Sequence, residues 1–165
     1  MKLRFMNWVI AMTAASTLGL AYAEEHDRQL LTLCLVAADT VKIEVELATE
    51  PKSRERGLME RESLAAQAGM LFVYPQNGMR AFWMYKTLIP LDIAYIGANG
   101  RIHEIYSMEP CRSIFPARCP NYPSQQPLRM ALEVNKGKFA EWGVEVGDLI
   151  FTDDCETPLQ PLPAA

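Results

Sequence analysis

Residues 41–47 alternate without a break: Val41, Ile43, Val45 and Leu47 are apolar, and Lys42, Glu44 and Glu46 are charged. A repeat of two sends these sets to opposite faces of a strand, so the segment requires a sheet with one covered and one wet face. Other apolar or alternating runs follow the same logic at 30–36, 70–74, 80–85, 91–96, 101–108, 128–134 and 149–151. Turn signals separate them, among them Pro75, Gly78, Pro90 and the Gly97-Ala98-Asn99-Gly100 hairpin turn. Helical signals are few. Thr49 offers an N-cap and Pro51 a first turn for a short helix toward Leu58, with Gly57 near its end. One more turn is expected over 63–68 and another over 138–142, stopped by Gly143. The predicted fold is mostly β, a compact β-sandwich or partly open barrel with a few short helices, and α+β is the second choice.

The predicted organisation is a signal peptide at 1–23, a lead-in and first strand at 24–39, a single β-rich domain at 40–152 and a Pro-rich tail at 153–165. Lys2 and Arg4 precede an uncharged run from Trp8 to Leu20, and Ala21-Tyr22-Ala23 supplies small residues for cleavage after Ala23. That run is short for a membrane span, so no span is expected after cleavage and the mature chain is placed in the periplasm or outside the cell. Cleavage leaves 14 basic side chains against 20 acidic ones, which argues against nucleic acid as a partner.

Cys34, Cys111, Cys119 and Cys155 allow three pairings, and an oxidising compartment favours disulfides. The favoured arrangement joins Cys111 to Cys119 across a short loop and Cys34 to Cys155 across the domain. The stretch 109–127 holds five prolines and two of these cysteines, which marks a long pinned loop. From Thr157 three prolines predict a disordered tail.

Charged residues at apolar positions are the candidate site. Arg56 precedes Gly57-Leu58-Met59, Asp92 lies between Leu91 and Ile93, and Glu133 lies between Leu132 and Val134. Burying an unpaired charge is costly, so Arg56 is expected to meet one or both carboxylates. The plain reading is a structural ion pair. The functional reading is a cleft beside Trp83 in which Asp92 and Glu133 serve as acid and base. Trp83, Phe82 and Tyr85 could stack on a sugar or peptide, although such aromatics more often belong to a core. Only His26 and His103 occur, so a Ser-His-Asp triad or a zinc-hydrolase site would depend on His103, which reads as a wet-face strand residue. Met59, Met70, Met79, Met84 and Met108 form no Met-x-x-Met series and read as core fillers. No metal or cofactor is assigned.

The ordered set Arg56-Gly57-Leu58-Met59, Gly69-Met70-Leu71-Phe72, Phe82-Trp83-Met84 and Ile89-Pro90-Leu91-Asp92-Ile93 resembles domain of unknown function 192. The resemblance continues through Gly100-Arg101-Ile102, Met108-Glu109-Pro110-Cys111, Cys119-Pro120 and Leu132-Glu133-Val134 to Gly147-Asp148, covering about residues 40–151. It implies a compact β-rich fold, often exported or tethered to a membrane, and it brings no reaction. The family pattern usually has Lys-Asn after Trp-Met, where this chain has Tyr85-Lys86. Arg56, Trp83, Asp92 and Glu133 are thus motif positions without catalytic labels. The expected function is binding of a small polar molecule, glycan or peptide near Trp83 and Asp92. A hydrolase or lyase using Asp92 and Glu133 with Arg56, and an envelope-associated interaction protein, are the alternatives.

Overall fold

A computed structural model describes residues 29–37 and 39–161; the expected signal peptide, His26 and the last residues of the tail lie outside the described residues. Seven strands form one curled sheet in the order β6-β5-β8-β3-β2-β1-β9. These are β1 (Leu30–Val36), β2 (Thr40–Ala48), β3 (Ala68–Gly78), β5 (Leu91–Ile96), β6 (Ile102–Met108), β8 (Leu128–Asn135) and β9 (Ile150–Thr152). β4 (Ala81–Trp83) and β7 (Asn121–Pro123) form a separate two-stranded sheet. The expected mostly β architecture holds, in its partly open barrel form.

Closure follows from the way the two sheet edges meet. β6 and β9 stand at opposite ends of the strand order, yet Arg101 bridges to Leu149. The Ile102 amide donates to Asp148 O at 2.9 Å and the Ile150 amide to Gly100 O at 3.0 Å. Pairing of this kind satisfies edge groups that would otherwise face water or another chain. Gly100 has φ of 78°, and a Cβ there would stand 2.7 Å from Leu159 O, so the junction needs a residue without a side chain.

The alternation read from β2 sends Ile43 and Val45 into the barrel interior with Leu33, Leu71, Leu132 and Ile150. Phe139 of α2 (Lys138–Glu141) and Trp142 join this inner core. The opposite face of the sheet carries a second core, with Phe72, Ile93, Tyr95 and Ala131 covered by Leu58, Phe82 and Met84. Met70, Met84 and Met108 are buried in this outer core. β2 and β3 are parallel, which requires a crossover, and α1 (Pro51–Arg56) lies on it.

Several sequence expectations are corrected. The N-cap of α1 is Glu50 and not Thr49; the Ser53 hydroxyl donates to Glu50 O at 2.9 Å and accepts from the Glu50 amide at 3.1 Å. The turn expected over 63–68 is reduced to one hydrogen bond, the Ala68 amide donating to Ala65 O at 3.1 Å, and Ala68 already opens β3 by pairing with β2. β3 also runs on through Pro75 to Gly78, with an irregular register after Val73 that accommodates the missing N–H. The loop 109–127 contains a 3-10 turn (Pro116–Arg118) and β7. The tail is ordered at least to Leu159, which is buried in the inner core and whose amide donates to Ile150 O. His103 sits on β6 with its Nδ1 buried and unpartnered, so it is not on a fully wet face.

Both expected disulfides are formed. Cys34 joins Cys155 with the Cα atoms 5.2 Å apart, and Cys111 joins Cys119 at 5.5 Å. The first staples β1 to the segment just after β9, at the sheet's edge.

Candidate functional site

Asp92 and Glu133 sit on neighbouring strands but point in opposite directions. Glu133 of β8 lies directly opposite Ile93 of β5, so these two share a face, and Asp92, one residue earlier, takes the other. On the inner side Asp92 is 3% exposed and fully engaged. Its carboxylate accepts from the Ser107 hydroxyl at 2.6 Å and from the Gly137 amide at 2.7 Å. These bonds tie β5 to β6 and to the start of α2, where Gly137 has φ of 85°. Asp92 therefore holds one end of the barrel together.

Glu133 is 5% exposed and, among the described residues, makes no hydrogen bond or ion pair. Met70 on β3 and Ile93 on β5 flank it in register, so its carboxyl rests on an apolar sheet face. Burial without a compensating cation disfavours the charged form and pushes its pKa up to about 8. The expected ion pair with Arg56 is absent among the described residues. Arg56 ends α1 and is exposed, near the negative end of the helix, where a basic side chain is favoured without a carboxylate partner.

A small cleft opens over Glu133, between the end of α1 and β4. Residues 54–59, Glu55 and Met59 among them, form one wall, Phe72 and Phe82 another, and Trp83 and Thr87 the rest. It offers about 30 Å³ to water-sized occupants, enough for one or two waters or one polar group of a ligand. Gly57 shapes the wall: its φ is 48°, and a Cβ would stand 3.3 Å from the Phe72 ring. β4 is set by packing. Phe82 turns inward between Phe72, 5.0 Å away edge-on, and Tyr95, 5.7 Å away. The Tyr95 hydroxyl donates to Tyr122 O, which anchors β7 and with it β4. The period of two then turns the neighbouring Trp83 outward, leaving it 42% exposed at the cleft.

Three of the four candidates thus line one cleft, Arg56, Trp83 and Glu133, and Asp92 does not. Asp92 and Glu133 cannot act as an acid and base across a shared ligand, because the sheet lies between their side chains. Sequence reading missed Arg54, Phe72, Phe82 and Thr87 as wall residues. Phe82 is a candidate stacking ring in the sequence but reads first as core, Phe72 is visible only as part of an apolar run, and nothing local marks Thr87.

The family model described as "DUF192: Uncharacterized ACR" matches residues 34–152, well over half of the chain. The chain belongs to the DUF192 family. The matched stretch of this DUF192 protein contains every wall of the cleft and both disulfide-bonded loop cysteines. A solved structure named a "putative transcription regulator" from Sinorhizobium meliloti 1021 is similar, with 32% identity and a TM-score of 0.69 over 76% of this chain and 95% of that one. Another, a protein of unknown function from Novosphingobium aromaticivorans DSM 12444, has 28% identity and a TM-score of 0.68 over 86% and 99%. No curated protein matches. Where the resemblance leads to an expectation of Asn this chain has Lys86, which adopts φ of 57°, a left-handed conformation that Asn tolerates better than most residues. The Lys86 carbonyl accepts from the Glu60 amide at 2.8 Å, so the turn beside the cleft keeps its shape with the longer side chain.

Proposed function

We propose that this DUF192 protein is an exported binding domain whose cleft takes the polar end of a small molecule, glycan or peptide. Glu133 forms the floor as a neutral carboxylic acid that donates a hydrogen bond, and Trp83 at the rim stacks on the ligand. The observation that carries this reading is a buried carboxyl with no protein partner, kept protonated by burial and facing a cleft. The carboxyl opens onto the cleft, so its hydrogen-bond partner is expected to come from outside the chain, as water or as the polar group of a ligand that displaces it. The exposed indole adds a flat apolar surface of the kind that sugars and peptide groups pack on.

Export is supported by two disulfides and by the charged-then-apolar start of the sequence. Among the described residues no helix is long and apolar enough to cross a membrane. The transcription-regulator name of the Sinorhizobium structure is not carried over, since the whole chain has a formal charge of −4 and nucleic-acid binding relies on basic surface. A hydrolase or lyase built on paired Asp92 and Glu133 is not proposed, because the two side chains leave opposite faces of the sheet.

The test is a thermal-shift screen with glycan oligomers, dipeptides and small neutral polyols, followed by calorimetric titration of any hit. Trp83→Ala is expected to weaken a true cleft ligand about tenfold or more, with little change in unfolding temperature. A hit that binds Trp83→Ala and Glu133→Met, which removes the donor, as well as it binds the wild type sinks the assignment of the cleft.

A further inference from the structure

Cys111 and Cys119 close a loop reading Arg112-Ser113-Ile114-Phe115-Pro116-Ala117-Arg118. It has two arginines and no acid, although acidic residues outnumber basic ones in the chain. Ile114 is 80% exposed and Phe115 53%. Single exposed apolar residues are ordinary, but here two bulky ones are adjacent and are held in place. The Ser113 hydroxyl donates to Phe115 O and accepts from the Phe115 amide, both at 3.1 Å. The Arg118 amide donates to Phe115 O at 3.0 Å and the Cys119 amide to Pro116 O at 2.9 Å. At the base, Cys111 bridges to Tyr85. The loop's shape is therefore fixed by the disulfide and its own hydrogen bonds, so little order remains to be imposed when it meets a partner.

We propose that this loop docks the protein on an anionic lipid bilayer, with Ile114 and Phe115 entering the boundary between headgroups and acyl chains and Arg112 and Arg118 meeting lipid phosphates. Neither arginine has a carboxylate partner among the described residues; Arg118 lies 4.9 Å over the Phe115 ring and Arg112 is exposed. An apolar tip with guanidinium groups on both sides is the composition that inserts at a membrane interface. Guanidinium also pairs with phosphate in bidentate fashion. An acidic protein is repelled by an anionic bilayer as a whole, so contact must run through a local basic site. Two apolar side chains cover too little area to anchor alone, which makes the docking reversible and dependent on both halves of the loop.

The experiment is flotation of the disulfide-bonded protein with vesicles of phosphatidylglycerol and phosphatidylcholine in equal parts, against vesicles of phosphatidylcholine alone. Residues 8–20 are uncharged and largely apolar, so the readout is the ratio of variant to wild-type partitioning in the same chain. Arg112→Gln with Arg118→Gln is expected to lower partitioning into the anionic vesicles about tenfold or more. Ile114→Ser with Phe115→Ser is expected to do the same. Both double variants touch only exposed side chains, and unchanged circular dichroism checks that they fold. Wild-type protein that stays in solution with anionic vesicles overturns the proposal, and so does a ratio of one for either double variant.

Discussion

Replacing Glu133 by Gln tests the physical basis of the cleft directly. Glu133 holds a proton in the folded protein up to about pH 8, and burial is the cause; the ordinary carboxyl value is 4.5. Between those values the folded state binds a proton that the unfolded chain has released. Stability therefore falls as pH rises through that window, and this group's contribution levels off below and above it. Each pH unit of the interval corresponds to about 1.4 kcal/mol, so the full swing approaches 5 kcal/mol. That is a large share of the 5–15 kcal/mol by which domains of this size are usually stable. Gln keeps the shape and hydrogen-bonding groups of the neutral acid but cannot ionise. Relative to wild type, Glu133→Gln should be within about 1 kcal/mol at pH 4.5 and more stable by several kcal/mol near pH 9, on the order of 10 °C in Tm. Urea unfolding of both proteins at a series of pH values, with the disulfides intact, measures this difference, and the titrations of all other groups cancel in it. A difference that stays constant across the window would refute the reasoning, since it would mean that Glu133 ionises in the folded protein as readily as in water.

Further outcomes follow from Asp92 and from the two disulfides, all outside the cleft. Asp92→Ala removes the acceptor of the Ser107 hydroxyl and of the Gly137 amide, and is expected to cost about 3 kcal/mol in urea unfolding. Asp92→Asn should cost only about 1 kcal/mol, because its amide oxygen can still accept from Gly137 while Ser107 turns to accept from the amide nitrogen. Removing the Cys34–Cys155 bridge, 121 residues apart, is expected to cost about 5 kcal/mol by loop entropy. The Cys111–Cys119 bridge, 8 residues apart, should cost about half as much, and paired Ser substitutions compared by chemical denaturation would distinguish the two.

Strand positions were legible wherever the signal is local. β1 and β5 fall at the residues where the apolar pattern puts them, and β2 extends its alternating run by one residue at each end. The disulfide pairing was also reachable, since a short pinned loop and a bridge between the two ends of the domain were the economical reading of four cysteines. Site geometry was less accessible, because it depends on register between strands far apart in the chain. Asp92 and Glu133 both announce themselves as charges in apolar runs, yet whether they meet is decided by Ile93 facing Glu133. A slip of one residue in that pairing would have put both carboxylates on one face. Phe82 and Trp83 pose the same problem on a smaller scale. Pairing of β4 with Asn121–Pro123 and the slot between Phe72 and Tyr95 decide which ring turns inward, and neither is adjacent in sequence.

The Cys34–Cys155 bond also changes how the molecule bears load. A pull applied at the two ends of the domain passes across the bond between β1 and the segment after β9, without crossing the sheet. The 121 residues of chain separating the two cysteines, on the order of 400 Å when fully extended, are shielded from tension while the bond is intact. Oxidised, the protein is a nearly inextensible link; reduced, it becomes a long tether whose yield force is set by strand pairing at the sheet's edge.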